Sequence, residues 1–188
     1  AYLKSPAAHE TGPAVVLSGG EGFLKQLALR EVCRKVLGDG DDDAGLVRVA
    51  AKAADWPTVL DSLLTVSMWS LRQVVVVEEA DEFVTKCRPL LEKYLERPAK
   101  KSVLVLEGKS WPSNTRLAKK VAEIGLPIDC ASLKPAELTG WITAWCQSHH
   151  GKKLDRAAAQ VLIELAGTEI GLLDQELAKL ASFVGDKG

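Results

Sequence analysis

Four consecutive valines, Val74 to Val77, place the tightest limit on what this chain can fold into. A strand with one wet face alternates apolar and polar residues, because successive side chains point to opposite sides. An unbroken β-branched run needs both faces covered, the condition of a parallel strand inside a layered α/β sheet. Arg72-Gln73 before the run and Glu78-Glu79 after it mark its ends. Short apolar segments at 14–17, 46–50, 102–106 and 127–130 read as four more strands. Between them apolar residues recur every three or four positions: Leu24, Ala28, Leu29, Val32, Cys33 and Val36, then Leu60, Leu63 and Leu64 after Trp56-Pro57. Phe83, Cys87, Leu90, Leu91 and Tyr94 form another such stripe, and Leu117, Ala118, Val121 and Ile124 a fourth. This alternation predicts a three-layer, doubly wound parallel sheet with helices on both faces.

After Ser132 the pattern changes. Leu138, Trp141, Ile142, Trp145, Cys146 and His149 share one helical face that starts near Pro135. Asp155 reads as the N-cap of a second helix carrying Val161, Leu162 and Leu165, closed by Gly167. Leu173, Leu177, Leu180, Ala181 and Val184 mark a third. The expectation is an α/β domain over 1–132 and a small three-helix domain over 133–188.

A chain of 188 residues with a formal net charge of −1 has no general pull toward nucleic acid or an acidic membrane surface. It contains no apolar run of the ~18 residues that span a bilayer. Residues 1–13 show no signal-peptide pattern. The four cysteines, Cys33, Cys87, Cys130 and Cys146, fit no metal or redox spacing. A reduced, cytoplasmic setting is the plain reading.

The first strand runs into Ser18-Gly19-Gly20-Glu21-Gly22 and then a helix, which invites a nucleotide-binding reading. A phosphate loop needs its second glycine five residues after the first, followed by Lys and a hydroxyl. Counted from Gly19, the second glycine position is Leu24; Lys25 is in place, and Gln26 replaces Ser or Thr. Glu21 puts negative charge where phosphate would sit, so the turn reads as a helix start and no cofactor is expected. Glu78-Glu79 has the shape of a Mg²⁺-holding strand end but, without a phosphate loop, reads as a solvated one. Cys146, His149 and His150 are close in sequence yet lack further zinc ligands, and no metal is expected. Lys100, Lys101, Lys109, Arg116, Lys119 and Lys120 crowd the fourth strand and the helix after it, a candidate face for an anionic partner or a solvated surface. The remaining oddity is Ser67-Met68-Trp69-Ser70, which sets the only methionine beside a tryptophan between a helix end and the valine strand. Trp is usually buried, but it is also the residue most enriched at interface hot spots, and Met adapts to grooves.

Taken in order, these pieces resemble the delta subunit family of bacterial DNA polymerase III clamp loaders. The resemblance rests on Gly20-Glu21-Gly22-Phe23-Leu24, Asp55-Trp56, Ser67-Met68-Trp69, Arg72 to Val76, Ala80-Asp81, Val103 to Leu106, Trp141-Ile142, and Gly167 leading to Gln175-Glu176-Leu177 and Lys179-Leu180. It implies a degenerate AAA+ architecture, a P-loop-like three-layer parallel sheet followed by a three-helix lid. It implies an accessory subunit of a DNA-directed DNA polymerase (a nucleotidyltransferase assembly) with no catalysis of its own. The implied work is to bind the ring-shaped sliding clamp, the beta subunit, and open it for loading onto primed DNA. By position the clamp-binding pair is Met68 and Trp69, flanked by Ser67 and Ser70, with Trp where the family usually has Phe. The other loader subunits, gamma or tau and delta prime, are implied partners, and DNA is reached through the assembly. The family's third domain, a helical collar, is expected to be absent after Gly188. A nucleotide-binding AAA+ ATPase and an interaction adaptor on the same scaffold are the competing readings.

Overall fold

The structure is a computed structural model, and it describes residues 9–38, 45–65 and 71–185. Two compact units divide the chain, residues 1–131 and 132–188.

The first unit is a five-stranded sheet of β1 (Ala14–Ser18), β2 (Leu46–Val49), β3 (Gln73–Val77), β4 (Ser102–Gly108) and β5 (Leu126–Asp129). The strand order is β2-β3-β4-β1-β5, and every pairing is parallel. All five residues of β3 are buried, as the valine run requires. Edge strands β2 and β5 are only partly covered.

Alternate strand residues divide between two faces. Ala14, Val16, Val75, Val77, Leu104 and Leu106 pack with α2 (Trp56–Leu64), α3 (Asp81–Tyr94) and α4 (Arg116–Ile124). The buried stripe of α1 (Gly22–Leu37) lies outside that cluster, and α1 packs on β1 and β3. Helices therefore cover both faces. Asp55 starts α2 by accepting from the Thr58 amide at 2.8 Å, and Thr115 starts α4 by accepting from Ala118 at 3.1 Å.

Two stripes differ from expectation. On α2 the buried residues are Val59 and Leu63; Leu60 is half-buried and Leu64 is exposed. Leu64 is the last residue of α2, and the buried stripe runs through Val59 and Leu63 instead. Leu90 on α3 is also exposed, whereas Phe83, Leu91 and Tyr94 are buried.

Asp81, the first residue of α3, ties that helix to the chain leaving β4. Its carboxylate accepts from the amides of Lys109 and Ser110 at 3.0–3.1 Å. Burial works to raise the Asp81 carboxyl, but these amides, its own amide and the Ser110 hydroxyl outweigh it and hold the group below its ordinary value. A carboxyl depressed on folding adds stability that is full above its unfolded value, about pH 4, and is lost as pH falls through the folded value. Asp81→Asn should flatten this acid limb, seen as a smaller difference in urea midpoint between pH 6 and pH 3.

The second unit contains α5 (Pro135–His150), α6 (Arg156–Ala166) and α7 (Ile170–Val184), which pack pairwise. Asp155 caps α6 through the Ala158 amide at 2.7 Å, and Gly167 closes it. The inner stripe of α6 is Ala159 with half-buried Leu162, Ile163 and Ala166; Val161 and Leu165 are exposed. On α7, Leu173 and Leu177 are buried, and Leu180 and Val184 are exposed. A unit of three short helices gives each of them one narrow buried stripe, so the remaining apolar residues stay at the surface. The Asp174 carboxylate on α7 accepts from Trp145 Nε1 at 2.6 Å and lies 3.1 Å from His150 Nε2, joining α5 to α7.

Candidate interaction site

The turn after β1 is where a phosphate would bind in a nucleotide-binding relative of this sheet, at the N-terminus of α1. Here the chain supplies its own anion. Glu21 is the N-cap, and its carboxylate accepts from the Phe23 amide at 3.2 Å. The Glu21 amide is itself committed to the Cys130 carbonyl at 3.0 Å, and the Gly19 amide to Gly108 O at 3.2 Å. Gly19 has φ +137°, and a Cβ there would lie 2.2 Å from the Cys130 carbonyl carbon. Only glycine lets the turn approach the end of β5 so closely. Lys25 is largely buried and lies 3.9 Å from Glu107 at the end of β4. The turn thus holds one carboxylate at the N-cap of α1 and a second beside the lysine. Burial pushes the Cys130 thiol up to about 11, against the pull of Lys25 and with the help of Asp129 and Glu107, which keeps it protonated near neutral pH.

Beyond this turn a groove of about 830 Å³ follows the C-terminal edge of the sheet, lined among others by Gln26, Arg30, Arg48, Lys52 and Glu79. Glu78 pairs with Arg48 at 3.0 Å, and Glu79 takes a positive φ of 47°. The acidic pair expected at the end of β3 is therefore split, one member engaged with β2 and the other turned by the backbone.

The basic residues fall in separate places. Lys100 and Lys101 precede β4 and Lys109 follows it, so a seven-residue strand, roughly 20 Å long, lies between them. On α4, Arg116 lies 3.6 Å from Glu92, and Lys120 donates to Glu92 O and to Glu96 at 2.8–2.9 Å. Lys119 is exposed. Two of the six thus have carboxylate partners, Arg116 at Glu92 on α3 and Lys120 at Glu96 just past its end. Trp111 packs against the core, its Nε1 buried without a hydrogen-bond partner. In the second unit Cys146 is buried, and His149 stacks on Trp145 at 4.4 Å. Among the described residues no group of three or more His, Cys, Asp or Glu side chains is placed to hold a metal ion. No described helix is long and apolar enough to cross a membrane.

Ser67, Met68, Trp69 and Ser70 lie outside the described residues. The nearest described residues on either side are Thr65 and Leu71. Leu64, on the last turn of α2, is 65% exposed, and Leu71, two residues before β3, is 88% exposed. The ends of the connection are held by buried polar side chains that the sequence reading passed over. Gln73 Nε2 donates to Ser62 O at 2.6 Å, and Ser102 Oγ donates to Leu63 O at 2.7 Å. The Thr65 amide returns to Asp61 O at 2.9 Å. Polar residues at buried-phase positions of β3 and β4 were the available signal: Gln73 shares its phase with Val75 and Val77, and Ser102 with Leu104 and Leu106.

No family model matches the chain, and no curated protein sequence does. Among solved structures, a DNA clamp loader delta protein of Bacillus subtilis superposes with a TM-score of 0.80 over 98% of this chain, at 22% identity. The chain spans 57% of the length of that protein. A gamma subunit-related protein of DNA polymerase III from Thermotoga maritima superposes with a TM-score of 0.51 over 76% of this chain and 48% of its own, at 16% identity. At these identities the likeness is one of fold. The fold expected from the sequence, a parallel α/β sheet followed by three helices, is the one the chain adopts.

Proposed function

We propose that this chain is the clamp-binding portion of a delta subunit of a bacterial DNA polymerase III clamp loader, acting by binding and not by catalysis. The observation that carries the reading is the agreement of 98% of the chain with the solved delta protein at a TM-score of 0.80. In this reading Met68 and Trp69, flanked by Ser67 and Ser70, enter an apolar pocket on the sliding clamp. Leu64 and Leu71, large apolar residues left exposed at the two ends of the stretch, support it, because exposed apolar surface marks interaction sites. The clamp opens to the extent that the chain binds the open ring better than the closed one. The other loader subunits, gamma or tau and delta prime, and DNA are met through the assembled loader in the cytoplasm, where the subunit serves the polymerase as an accessory. Lys100, Lys101, Lys109 and Lys119 are the candidates for any anionic contact.

One observation favours a second reading as a nucleotide-binding ATPase: the groove beside the first turn of α1. Against it stand Glu21 at the N-cap of α1 and Lys25 beside Glu107. Calorimetric titration separates the two. The proposed function predicts heat on adding the sliding clamp with no nucleotide present, and none on adding ATP with Mg²⁺. Micromolar ATP binding that is lost in Lys25→Ala, with no response to the clamp, would select the ATPase.

A further inference from the structure

We propose that Gln73 and Ser102 are positioning residues that hold the two ends of the α2–β3 connection together for partner binding. The inference rests on the clamp-binding reading and adds to it the residues that present the contact.

Among the described residues Gln73 and Ser102 are the two buried polar side chains, each 2% exposed. They are direct partners in register, the first rung of the β3–β4 ladder. Both face the side of the sheet that α2 covers, in phase with Val75, Val77, Leu104 and Leu106. A helix leaves its last four carbonyls without intrahelical donors. In α2 those are Asp61, Ser62, Leu63 and Leu64, and the first three are met by the Thr65 amide, Gln73 Nε2 and Ser102 Oγ. The Gln73 amide also donates to Lys101 O at 2.8 Å, so the start of β3 is fixed to the start of β4.

An apolar pair would fill this rung and bury as well. Polar side chains here carry a desolvation cost that only their hydrogen bonds offset. What an apolar pair could not do is fix the end of α2 to the beginning of β3. The clasp sets where the connection leaves α2, beside Leu64, and where it re-enters the sheet, after Leu71. A contact stretch whose ends are fixed loses less conformational freedom on binding, and affinity rises accordingly.

The test compares the chain with Ser102→Ala, Gln73→Met and the hydroxyl-retaining Ser102→Thr. Clamp affinity is measured by titration, stability by urea denaturation, and hydrogen exchange at amides 62–65 and 71–73. Ser102→Ala and Gln73→Met should each weaken clamp binding about tenfold and speed exchange at those amides while exchange in β1 and β4 stays slow. Ser102→Thr should restore both. Clamp affinity equal to that of the unaltered chain in the folded alanine and methionine variants would overturn the positioning role and leave the clamp reading standing. An unaltered chain that does not bind the clamp at all would remove both.

Discussion

Replacing Met68 and Trp69 together by alanine is expected to weaken clamp binding about a thousandfold while the fold stays intact. The size follows from what such a pair contributes. A tryptophan buries about 150–250 Å² of surface in a partner's pocket, and truncating a central aromatic or comparable anchor costs about 2 kcal/mol or more. Two such losses come to about 4 kcal/mol, close to three decades in Kd. The fold should be spared because the stretch lies between α2 and β3, and the core cluster is built from the helices and strands on either side of it. Titration of the clamp against the double variant reads the effect, and its circular dichroism melt serves as the control. Wild-type affinity in the folded variant would place the contact elsewhere, with Leu64 and Leu71 the next residues to truncate. The phenylalanine usual in the delta subunits that the sequence resembles supplies a finer comparison: Trp69→Phe should bind within about tenfold of the parent, because an aromatic anchor is kept.

Gly19→Ala should strongly destabilise the first unit. The residue has φ +137°, where a Cβ costs about 1–3 kcal/mol in backbone strain alone. The added carbon would also lie 2.2 Å from the carbonyl carbon and oxygen of Cys130, and these are backbone atoms that cannot swing aside. Relieving the clash moves the end of β5 away from the turn and endangers the Glu21–Cys130 hydrogen bond. A total of about 4 kcal/mol is a large part of the 5–15 kcal/mol that typically holds a domain together. Urea denaturation should show it as a lower midpoint with an unchanged slope. Gly140→Ala is the matched control. A Cβ there meets nothing within 4 Å, and alanine in a helix interior should be neutral or stabilise by up to about 1 kcal/mol. Equal losses in the two variants would contradict the steric account of the turn.

What was legible in the sequence divides along a physical line. Val74–Val77 announced a strand covered on both sides because burial on two faces has a one-dimensional signature, and all of β3 is buried. Asp155 announced a helix start because capping acts over three residues. Contacts across long sequence separations left no comparable trace. Asp81 meets the amides of residues 109 and 110, and Ser102 meets the carbonyl of residue 63. Gln73 was read as the polar boundary of the valine run, yet it lies inside the sheet, because its partner is a helix end that the sequence could not set beside it. The inner faces of α2 and α6 were misphased by single residues for a related reason. Leu64, Val161 and Leu165 are as apolar as their buried neighbours, and only the packing decides which of them meets the core. The proposed contact at Met68 and Trp69 rests on resemblance and on the exposed leucines at the ends of the stretch, while the turn at Glu21 was legible as a helix start, and Glu21 caps α1.

The central claim is that binding of this chain, with no nucleotide, opens the clamp. The most direct measurement loads fluorescent sliding clamps onto nicked circular DNA, adds the chain without ATP, and follows clamp release over time. The account predicts release that rises with chain concentration to saturation, is unchanged by ATP with Mg²⁺, and is lost in the Met68→Ala, Trp69→Ala variant. Release that requires ATP, or that persists undiminished in that variant, would contradict it.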